Sequence, residues 1–335
     1  MNESNQIQGE EPAVREVARQ GAMRRIRILD RLGLKRALLL TVCLWAEVTP
    51  LRAELNVVTT TPDLAALVRV VGGDLVKVEA LARPKEDAHF VSAKPSFIVR
   101  LNRADALVDG GAELEIGWLP TLVDQARNRN IVPGGPGRIP CNQGIEMREQ
   151  PTTLDRSRGD IHAAGNPHYL IDPLNARIAA GTIAAGLSRL DPGNSARFQE
   201  NFDRFSKELD AKMVEWTELF KAHQGKRIVS YHNSWSYFSA RFGIRIDLFL
   251  EPKPGIPPSP AHLAKVISEM KQEKIHVIMV DPYINRRTAE TAARYTEATL
   301  VNVAQFPGAI PDTEGDYLKL VDRLVKSLAT ALAGH

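Results

Sequence analysis

The chain has 335 residues, 44% hydrophobic and 25% charged, with a formal net charge of +3. That length suggests two domains or one large two-lobed one, and the composition is ordinary for a globular protein. Residues 1–53 carry nine Lys/Arg against six Asp/Glu, which leaves 34 of each beyond, so the body is neutral and gives no electrostatic case for nucleic acid.

Residues 1–53 read as a leader with a Sec signal peptide. Arg24, Arg25, Arg27, Arg31, Lys35 and Arg36 form a basic region, and "ALLLTVCLW" follows as an apolar core. That run is too short to span a bilayer. "EVTPLRA" ends in a small residue, so cleavage after Ala53 and export to the periplasm are expected. Met23 makes a more usual start than Met1. Val42, before Cys43, argues against lipid attachment, which wants a small side chain there. With the leader removed, Cys141 is the remaining thiol and no internal disulfide can form.

"ELNVVTTT" alternates and reads as a strand. "PDLAALVRVVGG" has helical apolar spacing and a Gly-Gly stop. "VKVEALA" is a second strand, "KPSFIVRLNRA" a helix opened by Pro95, and "DALVDGG" a third strand. "LEIGWLPTLVDQA" reads as a helix. This alternation predicts a parallel three-layer α/β lobe over residues 54–190. Residues 130–165 are rich in Gly, Pro and polar side chains and read as a long loop. An Ala-rich amphipathic helix follows over 174–190.

From about Pro192 to His223 the chain can run as one helix, roughly 45 Å long at about 1.5 Å per residue. A helix of that length is a beam, and residues 191–223 are read as the link between two lobes. Strand and helix signals then alternate again, from "RIVSYH" to "DYLKLVDRLVKSLATAL", with Ser259 as a helix cap. The fold class expected is therefore two α/β lobes with mostly parallel sheets, joined by one long rigid helix. The second lobe takes residues 224–335.

Ligands of open α/β sheets lie beyond the carboxyl ends of strands. His89 follows the second strand, His232 closes "RIVSYH", and Asp281 closes "IHVIMVD". His168 sits in "GNPHYLIDP", where the residue before Pro167 is pushed toward an extended conformation and the loop is stiff. Each has a plainer reading. His89 could be a solvated loop residue, His168 and His232 buried structural histidines, and Asp281 a cap for the turn at Pro282. Their recurrence at one topological place favours a metal site between the lobes. His162, six residues before His168, reads as a solvent-exposed polar residue, with an auxiliary metal-collecting ligand as the alternative.

These stretches resemble the cluster A-I substrate-binding proteins of ABC importers, which serve zinc and manganese. The resemblance covers nearly everything after Ala53. It rests on "VVTTTPDLAALVRVVGGDLVKVEAL", "DAHFVSAKPSFIVRLNRADALVDGGAELEIGWL", "GNPHYLIDP", "SYHNSWSYFSARFGI" and "EPKPGIPPSPAHL". Ala88 stands where the family carries a proline. The resemblance implies two lobes joined by a long helix, small motions on binding, and His89, His168 and His232 as ligands. A third imidazole favours Zn²⁺ over Mn²⁺. The family's aspartate aligns near Phe306, which cannot ligate, so Asp281 is expected as the fourth ligand, with Asp312, Glu251 and a water as rivals.

The function expected is capture of a divalent metal and its delivery to an ABC transporter membrane permease, by a monomer that is not an enzyme. The alternatives are a zinc-dependent hydrolase and a manganese or iron binder of the same family. Against a hydrolase, the sequence has no His-Glu-x-x-His pair and no obvious general base beside the histidines.

Overall fold

Two four-stranded sheets, each wholly parallel, organise residues 54–335 into one compact unit. The computed structural model describes residues 54–153 and 162–335, so the expected leader, with Cys43 and the cleavage after Ala53, lies outside the described residues. The N-terminal sheet consists of β1 (Leu55–Thr59), β2 (Val76–Ala80), β3 (Ala106–Asp109) and β4 (Arg138–Pro140), in the order β2-β1-β3-β4. The C-terminal sheet consists of β5 (Arg227–Ser230), β6 (Arg245–Phe249), β7 (Val277–Val280) and β8 (Thr299–Asn302), in the order β6-β5-β7-β8. In each lobe the first strand sits beside the second on one flank and the third on the other. That reversal opens a crevice at the strand ends, where α/β proteins bind ligands.

The helices are α1 (Pro62–Gly72), α2 (Pro95–Asn102), α3 (Leu119–Ala126), α4 (Pro173–Leu190), α5 (Ser195–Lys221), α6 (Ser236–Phe242), α7 (Pro260–Gln272), α8 (Arg286–Thr296) and α9 (Tyr317–Ala333). Proline opens α1, α2, α3, α4 and α7, where its missing N–H costs nothing. Ser259 caps α7 as expected, accepting from the His262 N–H at 3.2 Å. Among the described residues no helix is long and apolar enough to cross a membrane.

Side chains alternate across both sheets. Val57, Ala106 and Val108 join one core, and Val58 and Leu107 a second. In the other sheet Ile228, Val277 and Met279 join that same first core, and Val229, Ile278 and Val280 a third. The inner faces of both sheets thus share a single core. Helix α5 runs through it: Phe198, Phe205, Leu209, Trp216 and Phe220 recur in steps of seven and four and form one buried stripe.

The long helix exists but is shorter than the sequence suggests. It spans 27 residues, about 40 Å. Pro192–Asn194 is a separate 3₁₀ turn, because Gly193 and Asn194 are poor helix formers. The helix expected over 114–126 begins only at Leu119, after a run of turns that opens with Ala112 and Glu113 at positive φ of 51° and 66°. The expected 130–165 loop holds a strand, β4, paired to β3. Its three residues are too few to show a period, and Pro140 is tolerated because β4 is an edge.

Candidate metal centre

His89 lies in the 3₁₀ turn Ala88–Phe90, reached by the loop leaving β2. Asp87 caps that turn by accepting from the His89 N–H at 2.9 Å. Trp118 fixes it from below, its Nε1 donating to the Ala88 carbonyl at 2.8 Å. His168 follows Asn166-Pro167. The Asn166 Oδ1 accepts from the His168 backbone N–H at 3.0 Å and lies 2.9 Å from His168 Nδ1. An amide oxygen can only accept, so Nδ1 carries the proton and Nε2 presents a lone pair. His232 lies just past β5, with its carbonyl held by Ser230 Oγ at 2.8 Å and by the Ser234 N–H at 2.9 Å.

Glu251 leaves β6 beside the exit of β5, its N–H donating to the Tyr231 carbonyl at 3.1 Å. Its carboxylate contacts His232 Nδ1. This is the carboxylate–histidine arrangement that fixes a ring's tautomer and raises its basicity. The rings converge. His89 Nε2 and His168 Nε2 stand 3.1 Å apart, and one ring nitrogen from each of His89, His168 and His232 lies within 4.8 Å of the others. The rings meet edge to face, with centroids 5.1–5.9 Å apart.

Burial lowers the His89 pKa to about 3, and the neighbouring His232 and His162 rings push it the same way. Burial holds His168 well below the ordinary imidazole range, again with help from its histidine neighbours. His232 differs. Burial works to lower its pKa, but the hydrogen bond and charge of Glu251 more than offset it, so the value is raised. Two rings are therefore kept neutral and basic nitrogens face a common point.

Asp281 closes β7 as expected, but no carboxylate oxygen of a described residue joins the three-nitrogen group. Its two oxygens are buried without a hydrogen bond of good geometry. Trp235 and Gln305 lie close enough to lower its pKa somewhat, yet burial still raises it to about 7. Asp312 is exposed in a left-handed turn with φ 65°. Phe306 is buried against Ala88 and Leu114 and helps to wall a small cavity behind His168.

Two further cavities open on the histidines. One, about 310 Å³, is lined by His162, His168, His232, Glu149 and Asn233 among others. The second, about 130 Å³, is lined by His89, His232, Asp87 and Glu251. A larger one, about 610 Å³, touches Asp281 but no histidine. His162 corrects its expectation. It is half-buried, not exposed, and its ring stacks on His89 with centroids 5.0 Å apart. The contact joins residues 73 positions apart, so the local sequence carries no sign of it. Asn166 was legible in principle, since an Asn two residues before a histidine can turn back on it.

A family model described as "ZnuA: Zinc-uptake complex component A periplasmic" matches residues 57–331. The high-affinity zinc uptake system protein ZnuA of Paracoccus denitrificans is 28% identical over 259 residues, covering 71% of this chain and 79% of that protein. The iron-binding protein YfeA of Yersinia pestis is 25% identical over 289 residues, covering 82% and 86%. The manganese ABC transporter substrate-binding lipoprotein PsaA of Streptococcus pneumoniae is 22% identical over 289 residues, covering 84% and 90%. A crystal structure of ZnuA superposes with a TM-score of 0.72 at 22% identity, covering 83% of this chain and 99% of the other, and so supports the fold. The zinc and manganese relatives are transport binding proteins and not enzymes, which removes the zinc hydrolase alternative. With nearly all of the described chain inside the family match, the protein belongs to the zinc-uptake component A family, the metal-binding substrate-binding proteins of ABC importers.

Proposed function

We propose that the chain captures Zn²⁺ through His89, His168 and His232, with Asp281 as the fourth ligand, and delivers it to an ABC permease. One observation carries this reading: three imidazole nitrogens from distant parts of the chain lie within 4.8 Å, two of them 3.1 Å apart. Two nitrogens at about 2.05 Å from a tetrahedral ion stand about 3.3 Å apart. The second nitrogens of His168 and His232 are engaged by Asn166 and Glu251, which leaves the others for the ion. The buried oxygens of Asp281, which no well-aligned hydrogen bond satisfies, support the fourth place, because a buried carboxylate is stabilised by an arriving cation. Three imidazoles favour zinc over manganese, which prefers oxygen. The protein acts as a monomer in the periplasm, exported by its 1–53 leader.

Relatives named for manganese and iron keep those ions as the second reading. Elemental analysis and competition titration of the chain from Glu54, with Zn²⁺ against Mn²⁺, separate the two. One tight zinc per chain with weak manganese supports the proposal. Tight manganese transfers control of the site to the carboxylates. No binding of either refutes the metal site. His168→Ala should cut zinc affinity strongly and leave the fold intact. His232, the one ring of the three whose pKa is raised, must lose its proton to ligate, so zinc should bind more weakly at pH 5 than at pH 7.5.

A further inference from the structure

We propose that Glu149 is a positioning residue for metal retention: it ties the loop carrying His168 to the loop carrying His232 and slows release of the ion. The proposal rests on the reading of those histidines as metal ligands. Asn166, which orients His168, donates from Nδ2 to Glu149 Oε2 at 2.8 Å. Asn233, the residue after His232, donates from its own Nδ2 to the same oxygen at 2.8 Å. One carboxylate oxygen therefore holds two amides, one next to each of two ligands from different lobes.

The surrounding bonds keep this clasp in place. Asn166 Nδ2 also reaches the Asn233 carbonyl at 2.9 Å. The Asn166 N–H donates to the Arg148 carbonyl at 2.8 Å. Tyr237 joins the same segment from the second lobe: its hydroxyl accepts from the Arg148 N–H at 2.9 Å and donates to the Asn166 carbonyl at 2.8 Å. Asn166 is buried, while Glu149 is exposed at the rim of the cavity that His168 and His232 line. Glu149 also adopts φ 55°, a left-handed conformation that a side chain other than glycine takes at a cost.

An ion shared by His168 and His232 leaves when those residues separate. Hydrogen bonds to an ionised acceptor are stronger than neutral ones, so the clasp resists that separation. It holds the two loops and not the ion. Its signature is therefore kinetic and falls on the off-rate.

The test is stopped-flow release of Zn²⁺ from the loaded protein into excess chelator, together with the association rate. Glu149→Ala should speed release about tenfold or more, the scale of losing a charge-assisted bond, and leave association within about twofold. Glu149→Gln keeps an oxygen able to accept both amides but loses the charge, and should release zinc faster than wild type and more slowly than Glu149→Ala. Asn233→Ala cuts the clasp from the other side, and its effect should not add to that of Glu149→Ala. Unchanged release in Glu149→Ala, or equal acceleration in Glu149→Gln, overturns the proposal, as does full additivity with Asn233→Ala. A wild-type protein that takes up no Zn²⁺ sinks the metal-site reading, and this proposal with it. A wild type that retains zinc while Glu149→Ala retains it equally sinks this proposal alone.

Discussion

Asp172 holds Arg241 through two parallel hydrogen bonds of 2.8 Å, and the same carboxylate caps α4 by accepting from the Leu174 N–H at 3.0 Å. Asp172 stands four residues after His168 and Arg241 belongs to α6 of the other lobe. Tyr317 adds a bond from α9 to the Leu170 carbonyl at 2.6 Å. The segment that carries His168 is thus gripped from the second lobe before any ion arrives. Asp172→Ala removes the cap and strands Arg241, which is one-third exposed and can partly rehydrate. We expect a loss of about 2–3 kcal/mol in urea unfolding. Asp172→Asn, which preserves a capping oxygen, should lose less; an alanine variant as stable as wild type would contradict the bidentate bond.

Glu251 should matter for affinity without touching the ion. Its contact with His232 Nδ1 fixes the ring and raises its basicity. Removing an outer partner of this kind typically costs about 10–100-fold in metal affinity. Glu251→Ala should therefore weaken zinc binding by roughly that factor in a competition titration. A loss as complete as that of His232→Ala would make Glu251 a ligand in its own right.

Glu115 predicts how stability depends on pH. It is buried, with Oε1 accepting from Thr60 Oγ1 at 2.6 Å and from the Gly110 N–H at 2.8 Å. Burial, aided by the Asp109 charge, raises its pKa to about 8. A folded value above the unfolded one means the native state binds the extra proton. The contribution is fully present below about pH 4.5 and is lost as pH rises through 8. Glu115→Gln keeps both bonds and cannot ionise. Its stability relative to wild type should rise between pH 5 and pH 8.5, at up to about 1.4 kcal/mol per pH unit, when both are unfolded in urea. A flat difference across that range would place the titration elsewhere.

The alternating strands and helices were legible because each hydrophobic period is local. So was the position of His89, His232 and Asp281, since a strand end is a local event. His168 was marked by Asn-Pro-His itself. What escaped is what depends on register between distant segments. The stack of His162 on His89, the use of Glu251 to hold His232, and Glu149 meeting Asn166 and Asn233 all join residues that only the assembled lobes bring together. Strand β4 escaped for another reason: three residues, the last of them a proline, cannot display an alternation.

The stripe of Phe198, Phe205, Leu209, Trp216 and Phe220 belongs to neither sheet alone, because both inner faces pack into the core it crosses. Melting one half would expose the greasy face of the other. The protein should therefore denature in one step, with calorimetric and van't Hoff enthalpies that agree, although it contains two separate sheets. Phe205→Ala should lower that single transition, by about 3–5 kcal/mol, rather than split it. Two resolved transitions would mean the halves are thermodynamically separate. A binding protein built this way has no half-folded form in which the cleft is lost and the rest survives: the centre and the scaffold stand or fall together.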